Sequence, residues 1–338
     1  MFRKPLLYLL VLLSIMVSSC FKEDERITPH EPGNYVSDTV ALTDLYKYQV
    51  YYSMFDSSAV STNLKTTWDL GFESTTFGWR VIINSSNFMK SAYLPGQDFG
   101  LPVDTTGAAW LFNPSNGTAD SLVIGKWFEI SNDNDTLGTN RLLLIDRGVD
   151  EKGNPRGFSQ LVVDSLKNGV YYFRTAAMDG KNPQSHSVKK QGNVNNILFS
   201  ISNPSAVVSE PDNSNWDLLF TQYTTLLYTD EGDPYPYLLT GVLINPRFVE
   251  VAVDSISPFE SVTFESAQSR NFSKHADRIG YNWKRYDFAV GTYTVNSDII
   301  YLIRDTKGYL YKLRFIGFYK LVNNKVEKGF PSFEYQKL

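Results

Sequence analysis

Side chains that could bind a metal ion or act as a nucleophile are scarce in this sequence. The one cysteine is Cys20, and the three histidines are His30, His186 and His275. A single cysteine excludes a disulfide framework and every zinc site built on paired thiolates. The sequence also lacks the Gly-x-Ser-x-Gly turn of serine hydrolases, the His-Glu-x-x-His zinc motif, the phosphate-binding loop of nucleotide hydrolases and the dinucleotide-binding glycine motif. We therefore expect a protein that is not an enzyme and has no resident metal site.

Cys20 lies where a bacterial lipid anchor would be attached. A basic start is followed by an apolar segment, 6–17, which is too short to span a bilayer and is typical of a secretory signal. The segment ends in Val17-Ser18-Ser19-Cys20. This ending resembles the bacterial lipobox, whose cysteine receives a diacylglyceryl group on its thiol. We expect residues 1–19 to be a lipoprotein signal peptide; the alternative is an ordinary signal peptide with an incidental cysteine.

Residues 20–38 are expected to form a tether between the membrane and the folded part, because they show no periodicity and contain prolines and a glycine. Within them, Phe21–Glu25 places a lysine before acidic residues. This run resembles the export signal of surface lipoproteins in Bacteroidetes. We interpret the protein as an outer-membrane lipoprotein held by its lipid anchor. The acidic run has two alternative explanations, a signal for export to the cell surface or a solvated tether.

The composition is that of a folded chain without a nucleic-acid partner. Of the 338 residues, 42% are hydrophobic, 14% aromatic and 20% charged, which is too apolar for a disordered protein. The formal net charge is −4, and no cluster of lysine and arginine interrupts the sequence. A nucleic acid is therefore not expected as a partner. The length allows one large domain or two ordinary ones.

Short segments rich in valine, isoleucine, tyrosine, phenylalanine and threonine recur from about Leu42 onward and are separated by turn residues. This pattern is typical of antiparallel β-structure. Asn168-Gly169 and the run Asp305–Gly308 predict tight hairpins. We predict a mainly β fold, an antiparallel β-sandwich, with one short helix near residues 264–278, where the spacing of apolar residues is loosely helical.

One sequence motif occurs twice. The segment Thr67–Phe72 recurs as Asn215–Phe220, and each copy is followed by an apolar strand that reaches an asparagine, Asn84 or Asn245. A Trp-Asp pair at the start of a strand has a ready structural interpretation, in which the indole lies in the core and the carboxylate accepts backbone N–H groups. We therefore interpret the repeat as evidence about the architecture of the protein.

The repeat predicts two related β-units in the folded part. We place the N-terminal β-unit at residues 39–203 and the C-terminal β-unit at residues 204–338. Two arrangements stay open at this point, because the units could lie side by side or form one continuous domain.

The second half of the chain resembles the HmuY family of haem-binding lipoproteins from Bacteroidetes. Four segments carry the resemblance in the family's order and spacing: Asn215–Phe220, Thr240–Asn245, Ile279–Lys284 and Ile300–Phe315. The resemblance extends more weakly to residues 46–89, and we match residues 94–203 to no family. It implies an all-β fold likened to a right hand, whose loops hold haem between two axial side chains, and a TonB-dependent outer-membrane receptor as partner.

The resemblance does not place the haem ligands. Members of the family use paired histidines or paired methionines, and both imidazole and thioether are suitable axial ligands for haem iron. By side-chain chemistry the candidates here are His186, His275, Met54, Met89 and Met178. The alternative for each is an ordinary structural role, as a solvated histidine or as a methionine that fills the core.

Two functions are compatible with these observations. The first is a lipid-anchored, haemophore-like protein that captures haem or a porphyrin and delivers it to a TonB-dependent receptor. The alternative is an envelope β-sandwich that does not bind haem and instead recognises a glycan or a protein. A saturable change in Soret absorbance on adding haem distinguishes the first from the second.

Overall fold

Almost all regular structure in the described part of the chain is antiparallel β-strand. The computed structural model describes residues 32–118, 121–130, 136–205 and 208–338. The predicted signal peptide, Cys20 and the first part of the predicted tether lie outside these ranges. Within the described ranges, no helix is both long and apolar enough to cross a membrane.

The four longest strands of the described residues lie in the second half of the chain and have eleven or thirteen residues each. The first eleven strands are β1 Tyr35–Thr39, β2 Tyr48–Ser53, β3 Ser58–Leu64, β4 Leu70–Glu73, β5 Val81–Ile83, β6 Lys90–Tyr93, β7 Phe128–Ile130, β8 Thr136–Gly138, β9 Leu143–Asp146, β10 Phe158–Lys167 and β11 Val170–Ala177. The others are β12 Gln184–Lys189, β13 Asn196–Phe199, β14 Val208–Ser209, β15 Leu218–Tyr228, β16 Pro234–Ile244, β17 Glu250–Asp254, β18 Lys284–Asp287, β19 Thr292–Val295, β20 Ile300–Arg304, β21 Leu310–Val322 and β22 Lys325–Lys337. One α-helix is present among the described residues, α1 Phe264–Gln268. Single 3₁₀ turns occur at Lys65–Thr67, Ser85–Asn87 and Phe259–Ser261.

The first sandwich, as we name it, consists of two sheets whose apolar faces share one core. Its larger sheet has the order β12-β11-β10-β8-β7 and includes β9, which pairs with β10 and β6; its smaller sheet has the order β14-β13-β4-β5. Buried side chains from both sheets form the core, among them Phe72, Ile145, Leu161, Tyr171 and Phe173. Alternate residues of β4, β5, β9, β10 and β11 lie in this core, as the two-residue period of a strand requires, while Leu144 and Val162 on the opposite face of the larger sheet belong to a second, smaller cluster.

The second sandwich is built in the same way from the remaining strands. A sheet of order β1-β22-β21-β20-β17 and a sheet of order β16-β15-β2-β3 enclose a core that includes Tyr52, Phe220, Trp283, Phe315 and Phe333. The ribbon β18–β19 contacts β21 through β19. The predicted mainly β, antiparallel sandwich architecture is confirmed.

The two predicted hairpins are present. Asn168 and Gly169 both have positive φ angles, 50° and 73°, between β10 and β11, and this mirror-image turn geometry matches the twist of the flanking strands. In the turn between β20 and β21, the carboxylate of Asp305 accepts the backbone N–H groups of Lys307 and Tyr309 at 2.9 and 2.7 Å. Local side-chain chemistry therefore accounts for both turns.

The helix predicted near residues 264–278 is present but shorter, since α1 ends at Gln268. Thr263 caps its start, with its side chain accepting the N–H of Ser266. Beyond the helix, Ser273 forms two backbone hydrogen bonds with Val251, at 2.9 and 3.0 Å. Pairing with a neighbouring strand thus replaces the helical hydrogen bonds that the spacing of apolar residues suggested.

The two predicted β-units do not correspond to the two sandwiches. Strands β2 and β3 belong to the segment 39–203, yet β2 pairs with β15 of the segment 204–338. Strand β1 includes Tyr35–Asp38, which were predicted to be tether, and it pairs with β22 near the end of the chain. Pro32–Leu338 accordingly forms one compact unit, in which the two segments are interleaved.

Candidate functional site

The repeated motif builds the same local structure twice. We define the first Trp-Asp unit as Trp68, Asp69 and Asn84, and the second Trp-Asp unit as Trp216, Asp217 and Asn245. In both units the asparagine donates its backbone N–H to the aspartate carbonyl oxygen and its Nδ2 to the tryptophan carbonyl oxygen, all at 2.9 Å. The strands that follow pair in the same register. The sequence repeat is therefore a structural duplication, with buried indole rings and carboxylates that accept backbone N–H groups, as predicted.

The two buried aspartates differ in how their charge is compensated. Asp69 lies between the guanidinium groups of Arg147 and Arg156, at 3.1 and 2.9 Å. Asp217 instead accepts two backbone N–H groups, at 2.7 and 2.8 Å, and the described part of the chain provides no ion pair to it. Burial raises the pKa of Asp217, because desolvation penalises the charged form.

A cavity of about 190 Å³ lies between the two Trp-Asp units, and Trp68 and Trp216 both line it. The aliphatic part of its wall comes from Ile82, Ile83, Leu122, Leu219 and Leu243. Gly117 and Pro246 also line the cavity and are exposed, which indicates where it opens to solvent. An apolar cavity with a few polar groups is the usual form of a small-molecule site.

Glu210 is the buried carboxyl group of this cavity. Its Oε2 accepts the backbone N–H groups of Asn195 and Asn196, both at 3.1 Å, and its Oε1 accepts Nδ2 of Asn196 at 2.9 Å. Burial raises the pKa of Glu210 to about 7, although these hydrogen bonds act in the opposite direction. The oxygens of Glu210 are thus already engaged by protein donors.

The three candidate methionines are packed among apolar side chains. Met54 is buried in the core of the second sandwich and Met89 in that of the first. Met178 is partly buried and packs against a smaller cluster that includes Leu94 and Leu144. Their surroundings are those of methionines that fill a core.

The two candidate histidines lie in different surroundings. Nε2 of His186, on β12, lies 2.8 Å from the hydroxyl of Thr175, and its ring packs against Phe173 and Phe199 with centroids at 5.1 and 4.9 Å. Burial lowers the pKa of His186. His275 lies in an exposed segment beyond α1. None of the five candidates lines the cavity, and the described residues contain no group of three or more His, Cys, Asp or Glu arranged to hold a metal ion.

Aromatic side chains cluster on the surface where two hairpins adjoin. We define the tyrosine surface as Tyr235, Tyr237, Tyr286, Phe288 and Tyr293. Ring centroids are 5.0 Å apart for both the Tyr286–Phe288 and Tyr286–Tyr293 pairs, and 6.4 Å for Tyr235–Tyr237. Burial raises the pKa of Tyr293. The hydrogen bond from Nζ of Lys284 to the carbonyl oxygen of Thr240 joins the start of β18 to β16, so the β15–β16 hairpin lies next to the β18–β19 ribbon. Phe288 is 90% exposed, and exposed apolar surface of this kind is typical of a binding site.

Lys284 adjoins the tyrosine surface and is almost completely buried. Its Nζ donates to the carbonyl oxygen of Thr240 and lies 4.6, 5.4 and 5.1 Å from the ring centroids of Trp283, Tyr293 and Phe318. The described residues place no carboxylate in an ion pair with it. Burial lowers the pKa of Lys284 to about 7, so this ammonium is held in an aromatic box at a cost in solvation.

Comparison with known families identifies the chain's relatives. The family model described as HmuY protein matches residues 45–335. The chain belongs to the HmuY family. The match confirms the resemblance noted in the second half and extends it over residues 94–203, which the sequence analysis had related to no family.

Two solved structures are similar to this HmuY-family chain. One is a candidate lipoprotein from Bacteroides fragilis, with 17% identity and a TM-score of 0.23, covering 52% of this chain and 88% of that one. The other is a candidate HmuY-like haem-binding protein from Bacteroides vulgatus, with 14% identity and a TM-score of 0.18, covering 52% of this chain and 90% of that one. Comparison with curated proteins gave no match. At these TM-scores the family assignment rests on the sequence match alone.

A haem iron held between two axial side chains, as the HmuY resemblance implies, does not fit the placement of the five candidates. The methionines are enclosed by apolar side chains, and Nε2 of His186 is engaged with Thr175. His275 is the exposed member of the set, and none of the other four is exposed. We therefore assign no axial role to any of them.

Sequence reasoning missed Glu210, the cavity and the tyrosine surface. Glu210 is one of 36 acidic residues, and no local pattern distinguishes a carboxyl group that becomes buried through contacts distant in sequence. The tyrosine surface did have a local signal. Pro234-Tyr235-Pro236-Tyr237 alternates proline with tyrosine, and prolines within a strand mark an exposed edge.

Proposed function

We propose that this HmuY-family protein is a non-catalytic binding protein of the cell envelope that captures haem or a related porphyrin. The match of the family model over residues 45–335 is the observation that carries the proposal. In the same proposal, a TonB-dependent outer-membrane receptor takes the ligand from the protein. A lipid on Cys20 would hold the protein at the outer membrane, with its folded part exposed at the cell surface.

The tyrosine surface is the described region best suited to a planar macrocycle. Four of its five rings are exposed, neighbouring rings within each hairpin have centroids 5.0 to 6.4 Å apart, and aromatic faces stack on flat apolar rings. Because the five candidate ligands form no axial pair, the proposal assigns the binding energy mainly to contacts with the macrocycle rather than to bonds with iron.

A titration with two tetrapyrroles tests this proposal. The protein from Pro32 to Leu338 is titrated with ferric haem and with metal-free protoporphyrin, followed by absorbance and fluorescence. We expect both to bind saturably, with Kd values within about threefold of each other, and haem to give no low-spin spectrum. A low-spin spectrum with much weaker binding of the metal-free ring would contradict macrocycle-based binding. Absence of binding by either ring would refute porphyrin capture and leave the family assignment intact.

Two exposed phenylalanines provide a matched pair of variants for that titration. Phe288 is 90% exposed within the tyrosine surface, and Phe77 is 94% exposed outside it. We expect Phe288→Ala to weaken porphyrin binding about tenfold, as truncation of an aromatic contact residue commonly does. Phe77→Ala should bind as the unmodified protein does. Equal effects of the two substitutions would refute the location but not the capture of porphyrin.

A second candidate function is recognition of a glycan or protein by the same surface without haem. The missing axial pair favours it, and exposed tyrosines also stack on sugar rings. Quenching of intrinsic fluorescence by oligosaccharides, together with no response to either tetrapyrrole, is the result that would support this function over the first.

The anchor and the receptor have separate tests. We expect Cys20→Ser to move the protein from the membrane fraction to the soluble fraction, because the lipid would no longer be attached. Protection of the wild-type protein from protease added to intact cells would contradict surface exposure. A photo-crosslinker at position 288 should capture an outer-membrane receptor in cells grown with haem; labelling unchanged from a probe at position 77 would contradict the delivery step.

A further inference from the structure

Two long hairpins of the second sandwich end in turns of opposite charge. We define the acidic tip, between β15 and β16, as Asp230, Glu231 and Asp233. We define the basic tip, at the turn between β21 and β22, as Lys320, Lys325 and Lys328. All six side chains are exposed, and none forms an ion pair with another described residue. Both tips therefore have charge that the described part of the chain does not compensate.

Contacts across the second sandwich show that the two tips lie at the same end of it. Just before β15, the carboxylate of Asp217 accepts the N–H of Thr306, which lies just before β21, at 2.8 Å. Nearer the tips, Nζ of Lys284 donates to the carbonyl oxygen of Thr240 on β16 and lies 5.1 Å from the ring centroid of Phe318 on β21. The two hairpins thus begin side by side and extend in the same direction.

The hairpins also extend over a similar length, since β15 has eleven residues and β21 has thirteen. The opposite end of β22 lies beside the first described residues, because Gly33 donates its N–H to the carbonyl oxygen of Lys337 at 2.8 Å. The two tips therefore project from the end of the second sandwich that is remote from Gly33.

The tyrosine surface lies between the two tips. On one side, the hydrogen bond from Lys284 to Thr240 joins the β18–β19 ribbon to the hairpin with the acidic tip. On the other side, the backbone N–H of Tyr293 donates to the hydroxyl of Tyr319 on β21 at 2.6 Å, which joins the ribbon to the hairpin with the basic tip. The rings of the ribbon are thus bracketed by charges of opposite sign.

Apolar side chains continue the surface onto both hairpins. Leu321 and Val326 lie opposite each other beside the basic tip and are 65% and 72% exposed, and Tyr228 beside the acidic tip is 65% exposed. Exposed apolar surface that is rimmed by polar residues is typical of a protein–protein interface.

We propose that this end of the second sandwich is the interface of a homodimer in which the acidic tip of each copy contacts the basic tip of the other. A two-fold axis through the tyrosine surface exchanges the positions of the two tips. Both contacts then join opposite charges, and the two tyrosine surfaces face each other. The proposal concerns the ligand-free protein and does not depend on porphyrin capture.

The distribution of charge favours a second copy over other occupants. An anionic surface, such as a membrane or a nucleic acid, would attract the basic tip and repel the acidic tip. A partner of another kind would have to present both charges on the two sides of an apolar centre. A second copy of this chain presents that arrangement by symmetry.

Sedimentation equilibrium of the protein from Pro32 to Leu338 provides the first test. In low salt we expect a monomer–dimer equilibrium with a Kd of about 10 µM. In about 0.5 M NaCl the Kd should rise at least about tenfold, because salt screens exposed charges. A monomer at every concentration up to about 200 µM would overturn the proposal. Growth of the complex beyond two copies would overturn the two-fold arrangement.

Two charge-reversed variants test the pairing of the tips. Asp230→Lys combined with Glu231→Lys gives a chain with two basic tips, and Lys320→Glu combined with Lys325→Glu gives a chain with two acidic tips. Each variant alone should dimerise at least about tenfold more weakly, because both contacts would join like charges. An equimolar mixture should form a heterodimer about as tightly as the unmodified protein dimerises, since every contact again joins opposite charges.

A matched double reversal outside the second sandwich is the control. Asp98 and Glu129 are exposed, and we expect Asp98→Lys combined with Glu129→Lys to leave the Kd of dimerisation unchanged. A mixture of the two tip variants that associates no more tightly than either variant alone would refute the contact between the tips. An equal effect of the control and of the tip variants would refute the location of the interface.

Discussion

The two Trp-Asp units bury the same carboxylate in different electrostatic surroundings. Asp69 lies between two largely buried guanidinium groups, whereas Asp217 depends on backbone N–H groups. Removing one member of a buried ion pair is costly, because the remaining charges stay buried without compensation. The duplication therefore offers an internal control for the contribution of buried charge.

We expect Asp69→Asn to lower the free energy of unfolding by about 3 kcal/mol, because Arg147 and Arg156 would lose their shared counter-charge. Asp217→Asn should cost about 1 kcal/mol, since the amide oxygen still accepts one N–H group and no cation is left unpaired. Urea unfolding of both variants at pH 7 measures the difference. Equal losses would show that the arginines contribute nothing specific.

Lys284 provides the clearest prediction of how the stability of the protein depends on pH. Burial lowers its pKa in the folded state to about 7 from an ordinary value of 10.5, so between these two pH values the unfolded chain binds a proton that the folded protein does not. Stability should therefore rise with pH across this window and be lost as the pH falls towards 7.

For unmodified protein this effect amounts to about 3 kcal/mol between pH 7 and pH 9.5. The Lys284→Met variant keeps an unbranched apolar chain in the aromatic box and has no charge to titrate, so its stability should change by about 3 kcal/mol less over the same interval. Urea unfolding at the two pH values makes the comparison. Parallel pH profiles for the two proteins would contradict the assignment to Lys284.

Turns and hairpins were predictable from the sequence because their conformations depend on a few adjacent residues. Asn168-Gly169 is an example, with both residues in the left-handed region. The length of α1 was not predictable, since Ser273 pairs with Val251 on another element. The same distinction holds at the candidate sites: the Trp-Asp repeat was visible in the sequence, whereas the burial of Glu210 depends on packing between distant segments.

Substitution of two glycines with positive φ allows the stability cost of a strained backbone to be compared with the cost of a steric overlap. At Gly169, φ is +73° and a Cβ would meet no atom within 4 Å; at Gly329, φ is +91° and a Cβ would overlap the carbonyl oxygen of Thr43. We expect Gly169→Ala to cost about 1 kcal/mol, from backbone conformation alone. Gly329→Ala should cost at least about 3 kcal/mol, because β22 must move away from the turn that contains Thr43. Thermal unfolding measures both, and similar losses would contradict the role of the contact at Thr43.

The second sandwich combines strands from both ends of the chain, so no single cut in the sequence separates the folded part into two complete domains. Its two sheets take β1, β2 and β3 from the N-terminal part and every other strand from residues beyond 208. Val50, Tyr52 and Met54 belong to its buried core. A family resemblance strongest at 204–338 therefore does not define a domain, because that segment lacks strands that complete both of its sheets.

This arrangement predicts how fragments behave. Residues 204–338 alone should not unfold cooperatively, because without β2 the edge of β15 is unpaired and core side chains such as Phe220 and Phe333 lose the contact with Tyr52. Co-expressed with residues 32–203, the same fragment should be recovered as a complex with the circular dichroism of the intact protein, since all strand pairings can then form. A sharp thermal transition for 204–338 on its own would show that the second sandwich tolerates the loss of three strands and would restore the two-domain description.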